Sequence, residues 1–349
     1  MTEQNKVSLE AEAGVPTLED VARASGVSTA TVSRCLNEPE RVTEQTRARV
    51  MEAVRSLGYA PNFSARALAA KRTGIFGAIV PTLENAIFAK GLQAFQEELA
   101  RHGITLLVAS SSYSPALEEE QVRALIARGA DALLLIGHDR TPETYALLEQ
   151  RQMPHIVAWA YDPSEARLSI GFDNRKAMKR LATEVLLRGH ARLGVITAAV
   201  ANNDRTRERV AGVRDAMAAQ DLSPDDLRVV ETPYGAETGA RAFEETMRSD
   251  PRPTAVLCAN DVLAAGALAK ARDLGLRVPN DVSVTGFDDT EIAQIVTPQL
   301  TSVRVPHWDM GEGAARLLVA WRSGERAKDS IELSTEVVQR GSLGAAPQE

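Results

Sequence analysis

Arg34 ends a stretch, Thr29-Ala-Thr-Val-Ser-Arg34, whose other members are small or polar. A guanidinium takes guanine O6 and N7 bidentately, and small neighbours let a helix come close to base edges. Thr29, Ala30 and Ser33 share the side of Arg34, whose guanidinium is the candidate base reader. Ser28, Thr31 and Ser33 carry hydroxyls suited to phosphate oxygens, and Asn37 closes the stretch. A second set of polar residues lies far downstream: Arg205, Arg207 and Arg209, Asn260 and Asp261, Asp288 and Asp289. Earlier come Thr82, Glu84 and Asn85, with the aromatic Phe88. Asp and Asn exchange hydrogen bonds with hydroxyls, and arginine suits a carboxylate or phosphate. Each also has a local explanation. Asn260 and Asp288 could cap the helices that follow them, and the arginines could form a solvated helix face.

The elements that must hold the first set are two short helices. Thr17 and Asp20 have the spacing of a capping box, and Leu18, Val21 and Ala22 form an apolar face. Gly26 permits a sharp turn, Val27 plugs the corner and Ser28 caps the second helix, whose Val32, Cys35 and Leu36 face inward. A third helix follows Val42 and Thr43, with Val50, Met51, Val54 and Leu57 as its expected buried face and Gly58 at its end. This is the pattern of a helix-turn-helix that enters the DNA major groove; a small helical domain that binds protein would share the spacing. Residues 16–72 carry nine Lys/Arg against six Asp/Glu, whereas residues 1–15 sum to −2 and residues 73–349 to −8. The basic segment is the one with the DNA-like pattern.

The second set needs a different frame. From residue 75 apolar runs alternate with amphipathic segments: strands near 75–80, 104–108, 132–136 and 156–159, then near 192–196, 228–231, 254–258 and 282–286. Short apolar strands between helices imply parallel sheets covered on both faces. The expected fold is thus a small all-α head plus α/β, with two doubly wound parallel-sheet lobes of the periplasmic-binding-protein-like type. Ligands in such sheets bind beyond the carboxyl ends of the strands, where the polar set falls.

Thr17-Leu-Glu-Asp-Val-Ala, Gly26-Val-Ser, Thr31-Val-Ser-Arg34, Asn37 and Gly58-Tyr-x-Pro-Asn62 resemble the N-terminal signature of the lactose-repressor family of bacterial transcription regulators. Arg209-Val-Ala-Gly212, Cys258-Ala-Asn-Asp261, Gly286-Phe-Asp-Asp289 and Pro298-x-Leu-Thr-Ser-Val303 extend the resemblance to about residue 340. It implies base contacts from Thr29, Ala30 and Arg34, and backbone contacts from Ser28, Thr31, Ser33, Asn37, Tyr59 and Asn62. It also implies a hinge helix whose Ala65 and Leu68 enter the minor groove, and effector contacts from Phe88, Arg207, Arg209, Asn260 and Asp288. Pro81-Thr-Leu-x-Asn-x-x-Phe88, Glu118-Glu-Glu-Gln, Arg140-Thr-Pro-Glu-Thr and Ile170-Gly-Phe-Asp-Asn174 are similar to the gluconate-operon repressor branch, which implies a sugar acid.

The expected organisation is a disordered arm over 1–15, a helix-turn-helix domain over 16–60 and a hinge over 61–72. A two-lobed effector-binding and dimerisation domain over 73–340 and a frayed tail over 341–349 complete it. The expected partners are near-palindromic operator DNA, a sugar or sugar-acid effector, and a second copy of the chain, without a membrane. Activation or corepression is the alternative to repression. A transport protein with the same lobes would need export, yet no apolar signal follows Met-Thr-Glu-Gln-Asn-Lys, and it would carry no helix-turn-helix. Two distant cysteines, Cys35 and Cys258, fit a reducing cytoplasm. None of the five histidines has metal-ligand spacing, and G-x-G-x-x-G and G-x-S-x-G are absent, so neither catalysis nor a metal or cofactor is expected.

Overall fold

The computed structural model describes residues 15–60 and 72–348 apart from 326 and 328. Two units emerge, one ending at Thr73 and the other starting at Gly74. Asn62, Ala65 and Leu68, and with them the expected hinge helix, lie outside the described residues.

The first unit holds α1 (Leu18–Ser25), α2 (Thr29–Asn37) and α3 (Glu44–Leu57). Thr17 and Asp20 form a reciprocal capping box, Ser28 caps α2 and Thr43 caps α3. Gly26 and Gly58 take the left-handed backbone that ends α1 and α3, at φ 62° and 63°. Arg49 of α3 donates to the carbonyls of Ser25 and Gly26, which satisfies the end of α1. Val21, Ala22, Val32, Cys35, Val50, Ala53 and Tyr59 make the core. Ala53 stands where Met51 was expected, because on a 3.6-residue repeat the third residue after Val50 faces inward and the next one does not.

The second unit begins with β1 (Ile75–Val80), α4 (Ala86–Arg101), β2 (Thr105–Ser110), α5 (Pro115–Ala127), β3 (Ala132–Ile136), α6 (Pro142–Gln150), β4 (His155–Ala158) and β5 (Ser169–Gly171). A second series follows: α7 (Asn174–Leu186), β6 (Leu193–Thr197), α8 (Asp204–Ala218), β7 (Arg228–Glu231), α9 (Ala236–Met247), β8 (Ala255–Cys258), α10 (Asp261–Asp273) and β9 (Ser283–Thr285). The chain ends through α11 (Glu291–Ile295), β10 (Ser302–Arg304), α12 (His307–Arg322), β11 (Ile331–Glu332) and β12 (Glu336–Val338).

One parallel sheet has the order β11-β5-β4-β3-β1-β2, and the other the order β7-β6-β8-β9. Strand β3 is buried throughout and β1 nearly so, as expected of strands covered on both faces. The chain passes between lobes three times: from β5 to α7, from β10 to α12, and from β11 to β12. Helix α12 packs on α4 of the first lobe, and β12 pairs antiparallel with β10. At these crossings the lobes share a core, with Phe172 and Phe287 stacked 6.0 Å apart.

Residues 341–348 are not a frayed tail. Val284 N–H donates to the Ser342 carbonyl, Ser342 Oγ donates back to the Val284 carbonyl at 2.6 Å, and Ala346 N–H reaches Arg188 O. Ser342 and its neighbours thus extend the hydrogen bonding beside β9, a role that short polar residues do not advertise in sequence.

Candidate functional site

On the head, Ser28, Thr29, Ala30, Arg34 and Asn37 are exposed, and Thr31 and Ser33 are half-buried. The capping bond of Ser28 fixes the entry of α2 and ties its hydroxyl to that of Thr31, 2.9 Å away. Asn37 Nδ2 donates to Ser33 Oγ at 3.2 Å. Arg34 pairs with no carboxylate among the described residues, although the other arginines of the head include ion-paired Arg23, Arg41 and Arg55. Its guanidinium is exposed on the outer face of α2. Tyr59 differs, since its ring belongs to the core of the head and is 9% exposed.

In the second unit the carboxyl ends of the strands face a cleft between the lobes. The outer part is a cavity of ≈ 910 Å³. The first lobe lines it with residues 81–85, Ser110, Ser112 and Tyr113; the second with residues around 198–203, residues 231–234, Asn260 and Val262. Beneath lies a recess of ≈ 20 Å³, walled by Asn85, Ile87, Phe88, Tyr113, Trp159, Arg205, Arg209, Tyr234, Asn260 and Asp288. Tyr113 and Tyr234, one from each lobe, stand 6.0 Å apart where the two spaces meet.

Four of the five expected effector residues meet in this recess. Phe88 packs edge-on against Trp159 at 5.6 Å. Asn260 caps α10 through Oδ1, at 2.8 Å from Leu263 N–H, and also lines the recess, so the capping role and the site role coexist. Arg209 donates through Nε to Asn174 Oδ1 at 2.9 Å and through Nη1 to Ala259 O at 2.7 Å. Its guanidinium lies 3.8 Å from the Phe287 ring centroid. Asp288 is 2% exposed, and its Oδ1 has no hydrogen-bond partner among the described residues. Arg207 is the exception. It closes bidentately on Asp139 of the first lobe at 2.8 and 2.9 Å, outside the recess. Spaced two residues apart on one helix, Arg207 and Arg209 point to different sides.

Burial governs the electrostatics here. It pushes Asp288 up to about 7 despite the pull of Arg209, and it lowers Arg209 itself. Burial takes His307 down to about 3, with the Arg209 and Lys90 cations acting in the same sense. Asp289, next in sequence, is instead held by Arg340 at 2.6 Å and Arg304 at 2.8 Å. Beside the recess, Asp204 accepts the His138 N–H at 2.6 Å and Arg205 at 2.9 Å, and Arg205 also donates to Ile136 O.

The chain, a helix-turn-helix head with Arg34 on the outer face of α2 and a two-lobed unit with a polar recess, matches known sequences over nearly its full length. Residues 17–62 match the lacI family of bacterial regulatory proteins, and residues 182–343 match the periplasmic binding protein-like domain. The HTH-type transcriptional regulator GntR of Escherichia coli (strain K12) is 31% identical over 329 residues, covering 94% of this chain and 98% of that protein. This chain belongs to the lacI family. It is a DNA-binding transcription regulator with an effector-binding domain, and its relatives are regulators rather than enzymes. The Lac repressor dimer bound to operator and the anti-inducer ONPF superposes with a TM-score of 0.84 at 25% identity, over 95% of this chain and 99% of that one. The regulator CelR in complex with cellobiose gives a TM-score of 0.69 at 28% identity, over 94% and 99%. No helix among the described residues is long and apolar enough to cross a membrane.

The reading by sequence passed over Tyr113, Trp159, Asn174, Tyr234 and His307. Tyr234 follows β7, whose terminal loop faces the cleft like those after β6 and β8. Applying the strand-end rule to that loop as well finds it. Trp159 directly follows β4, where the same rule applies. His307 had no such signal, because α12 returns to the first lobe through a crossing that periodicity does not reveal.

Proposed function

We propose that the chain acts as a homodimeric repressor released from, or fixed on, a near-palindromic operator by a sugar or sugar acid bound in the interlobe cavity, with its polar groups reaching the recess. The observation that carries the effector reading is the recess at the base of the cavity, where Arg209 and Asp288 are buried beside Asn260 between the two lobes. A hydroxyl has an acceptor in Asp288, and a carboxylate has a donor in Arg209. The resemblance of Pro81–Phe88 and Ile170–Asn174 to the gluconate-operon repressor branch supports an acid, and the cellobiose complex of CelR supports a sugar.

In this reading Thr29, Ala30 and Arg34 read bases, and Ser28, Thr31, Ser33, Asn37 and Asn62 hold phosphates. Ala65 and Leu68 enter the minor groove, where a leucine wedge bends the duplex. Tyr59 contributes by fixing the end of α3 rather than by a free side chain. Arg207 acts between the lobes rather than on the effector. Effector binding rotates the lobes, and a coupling of about 1–3 kcal/mol changes operator affinity 5- to 150-fold.

The test joins mobility shift to calorimetry, with D-gluconate, D-glucose and cellobiose as probes. Arg34→Ala loses about 1–3 kcal/mol of specific DNA binding while non-specific binding persists. Arg209→Ala keeps operator binding and loses the response to the probe. Undiminished base discrimination in the first variant, or full probe affinity in the second, overturns the corresponding assignment.

A further inference from the structure

A chain of buried groups links the lobes behind the recess. Trp159 Nε1–H donates to His307 Nδ1 at 3.0 Å, with the two rings 6.3 Å apart and 26° from parallel. Because Nδ1 accepts, the ring proton sits on Nε2. Nε2 lies 3.7 Å from Asp288 Oδ1, and neither atom has a hydrogen-bond partner among the described residues. Trp159, His307 and Asp288 are all nearly inaccessible. Trp159 and Asp288 also hold positive φ, 61° and 100°, a backbone region that non-glycine residues adopt only at a cost. A second arm closes the circuit: Asn174 donates to Trp159 O at 3.0 Å and accepts from Arg209 Nε.

We infer that His307 is a positioning residue for the effector site, a fixed N–H donor that takes up Asp288 Oδ1 and aims the carboxylate at an effector hydroxyl. The inference rests on the cavity and the recess at its base being the effector site. A donor to a carboxylate settles near 2.7–2.9 Å, so the present gap is close to an ångström too long. His307 is the first residue of α12, directly beyond the β10–α12 crossing, and Asp288 follows β9 in the other lobe. So near a hinge, a small lobe rotation closes such a gap. The contact then forms only when the lobes move, which ties the aim of Asp288 to closure.

The charged surroundings make His307 a fixed donor rather than a cation. Asp288 is faced by Arg209 from α8, Asp261 from α10 and the Tyr113 phenol; His307 is faced by Arg209, by Lys90 from α4 and by the backbone carbonyl of Asp288. Burial, with two cations acting in the same sense, keeps the imidazole neutral between about pH 5 and 8.

The experiment uses the full chain with ¹⁵N-labelled histidine and ¹³C-carboxyl aspartate, in the wild type, His307→Phe, His307→Gln and Trp159→Phe, with thermal melts to verify folding. His307 shows one neutral tautomer protonated at Nε2, and Trp159→Phe mixes the tautomers. With D-gluconate or D-glucose bound, the Asp288 titration midpoint of His307→Phe rises by roughly half a pH unit or more, and His307→Gln, which keeps a donor, restores part of it. Calorimetry with D-gluconate and D-glucose then finds affinity for the bound probe about tenfold lower in His307→Phe, with a larger deficit at acidic than at alkaline pH. An unmoved midpoint in folded His307→Phe and His307→Gln overturns the inference. If Asp288→Asn abolishes probe binding while the His307 variants bind as wild type, the effector reading survives and the positioning role falls. If the midpoint moves but Asp288→Asn leaves probe binding intact, the link from His307 to Asp288 stands and the effector reading falls.

Discussion

Two adjacent aspartates show how far residue type alone carries. Asp288 and Asp289 have the same chemistry, yet two arginines hold Asp289 in place while Asp288 faces the recess. The expectation that Asp288 meets the effector came from family spacing, since single residues offered a helix cap just as readily. For Asn260 both readings describe the same side chain. Asp288 also has a cost that is visible without any ligand. Its folded value, about 7, lies above its unfolded one, so the native state holds an extra proton between about pH 4 and 7. The protein therefore loses stability as pH rises through that window. Asp288→Asn removes the ionisation. Its melting temperature should exceed the wild type's above pH 7 by a margin that vanishes near pH 4, and a constant difference across that range would contradict the assignment.

At the scale of elements, alternating apolar strands and amphipathic helices were legible from residue 75 to residue 286, because strands buried on both faces read as continuous apolar runs. The short strands β5, β10, β11 and β12, of two or three residues each, were not, since no periodicity fits so short a span. These are the elements beside the interlobe crossings, so sequence showed the lobes and hid the joint. It also hid the contacts that bridge them. Arg207–Asp139, Asp204 with the His138 N–H, and Arg205 with Ile136 O run from α8 to the end of β3 and the loop after it. The Arg207–Asp139 pair is partly exposed, so its own contribution is at most about 1 kcal/mol. Its effect falls on lobe opening. Arg207→Ala should change effector affinity severalfold without moving the melting temperature by more than a degree or two, and the double variant with Asp139→Ala should add nothing further. Additive effects would mean that the two side chains act separately.

The whole molecule divides reading from sensing between two units of unlike charge. The basic count of residues 16–72 and the acidic excess of residues 73–349 made that division visible early. The closing segment was the larger surprise. It is stapled to the second lobe through Ser342 and through His190, whose ring contacts Thr254 Oγ1 at 3.0 Å and Gly344 O at 3.2 Å. Polar residues at a chain end give no sign of such anchoring, because the pattern is set by backbone groups that side-chain identity does not report.

Helices α4 and α12 meet at Gly91 and Gly311, and a Cβ at Gly311 would lie 1.9 Å from Gly91 O. At Gly91 a Cβ would lie 2.3 Å from Trp159 Cη2 and 3.1 Å from His307 O. One added methyl at Gly311 thus forces the helices apart, and one at Gly91 drives into the indole that donates to His307. In a genetic selection for alleles deaf to the effector yet still bound to operator, Gly91→Ala and Gly311→Ala should surface alongside changes at Asp288. Neither glycine walls the recess, so such a map would place mutations of one phenotype at positions with no polar chemistry of their own. If both alleles respond normally to effector, the close helix contact is padding rather than part of the signal path.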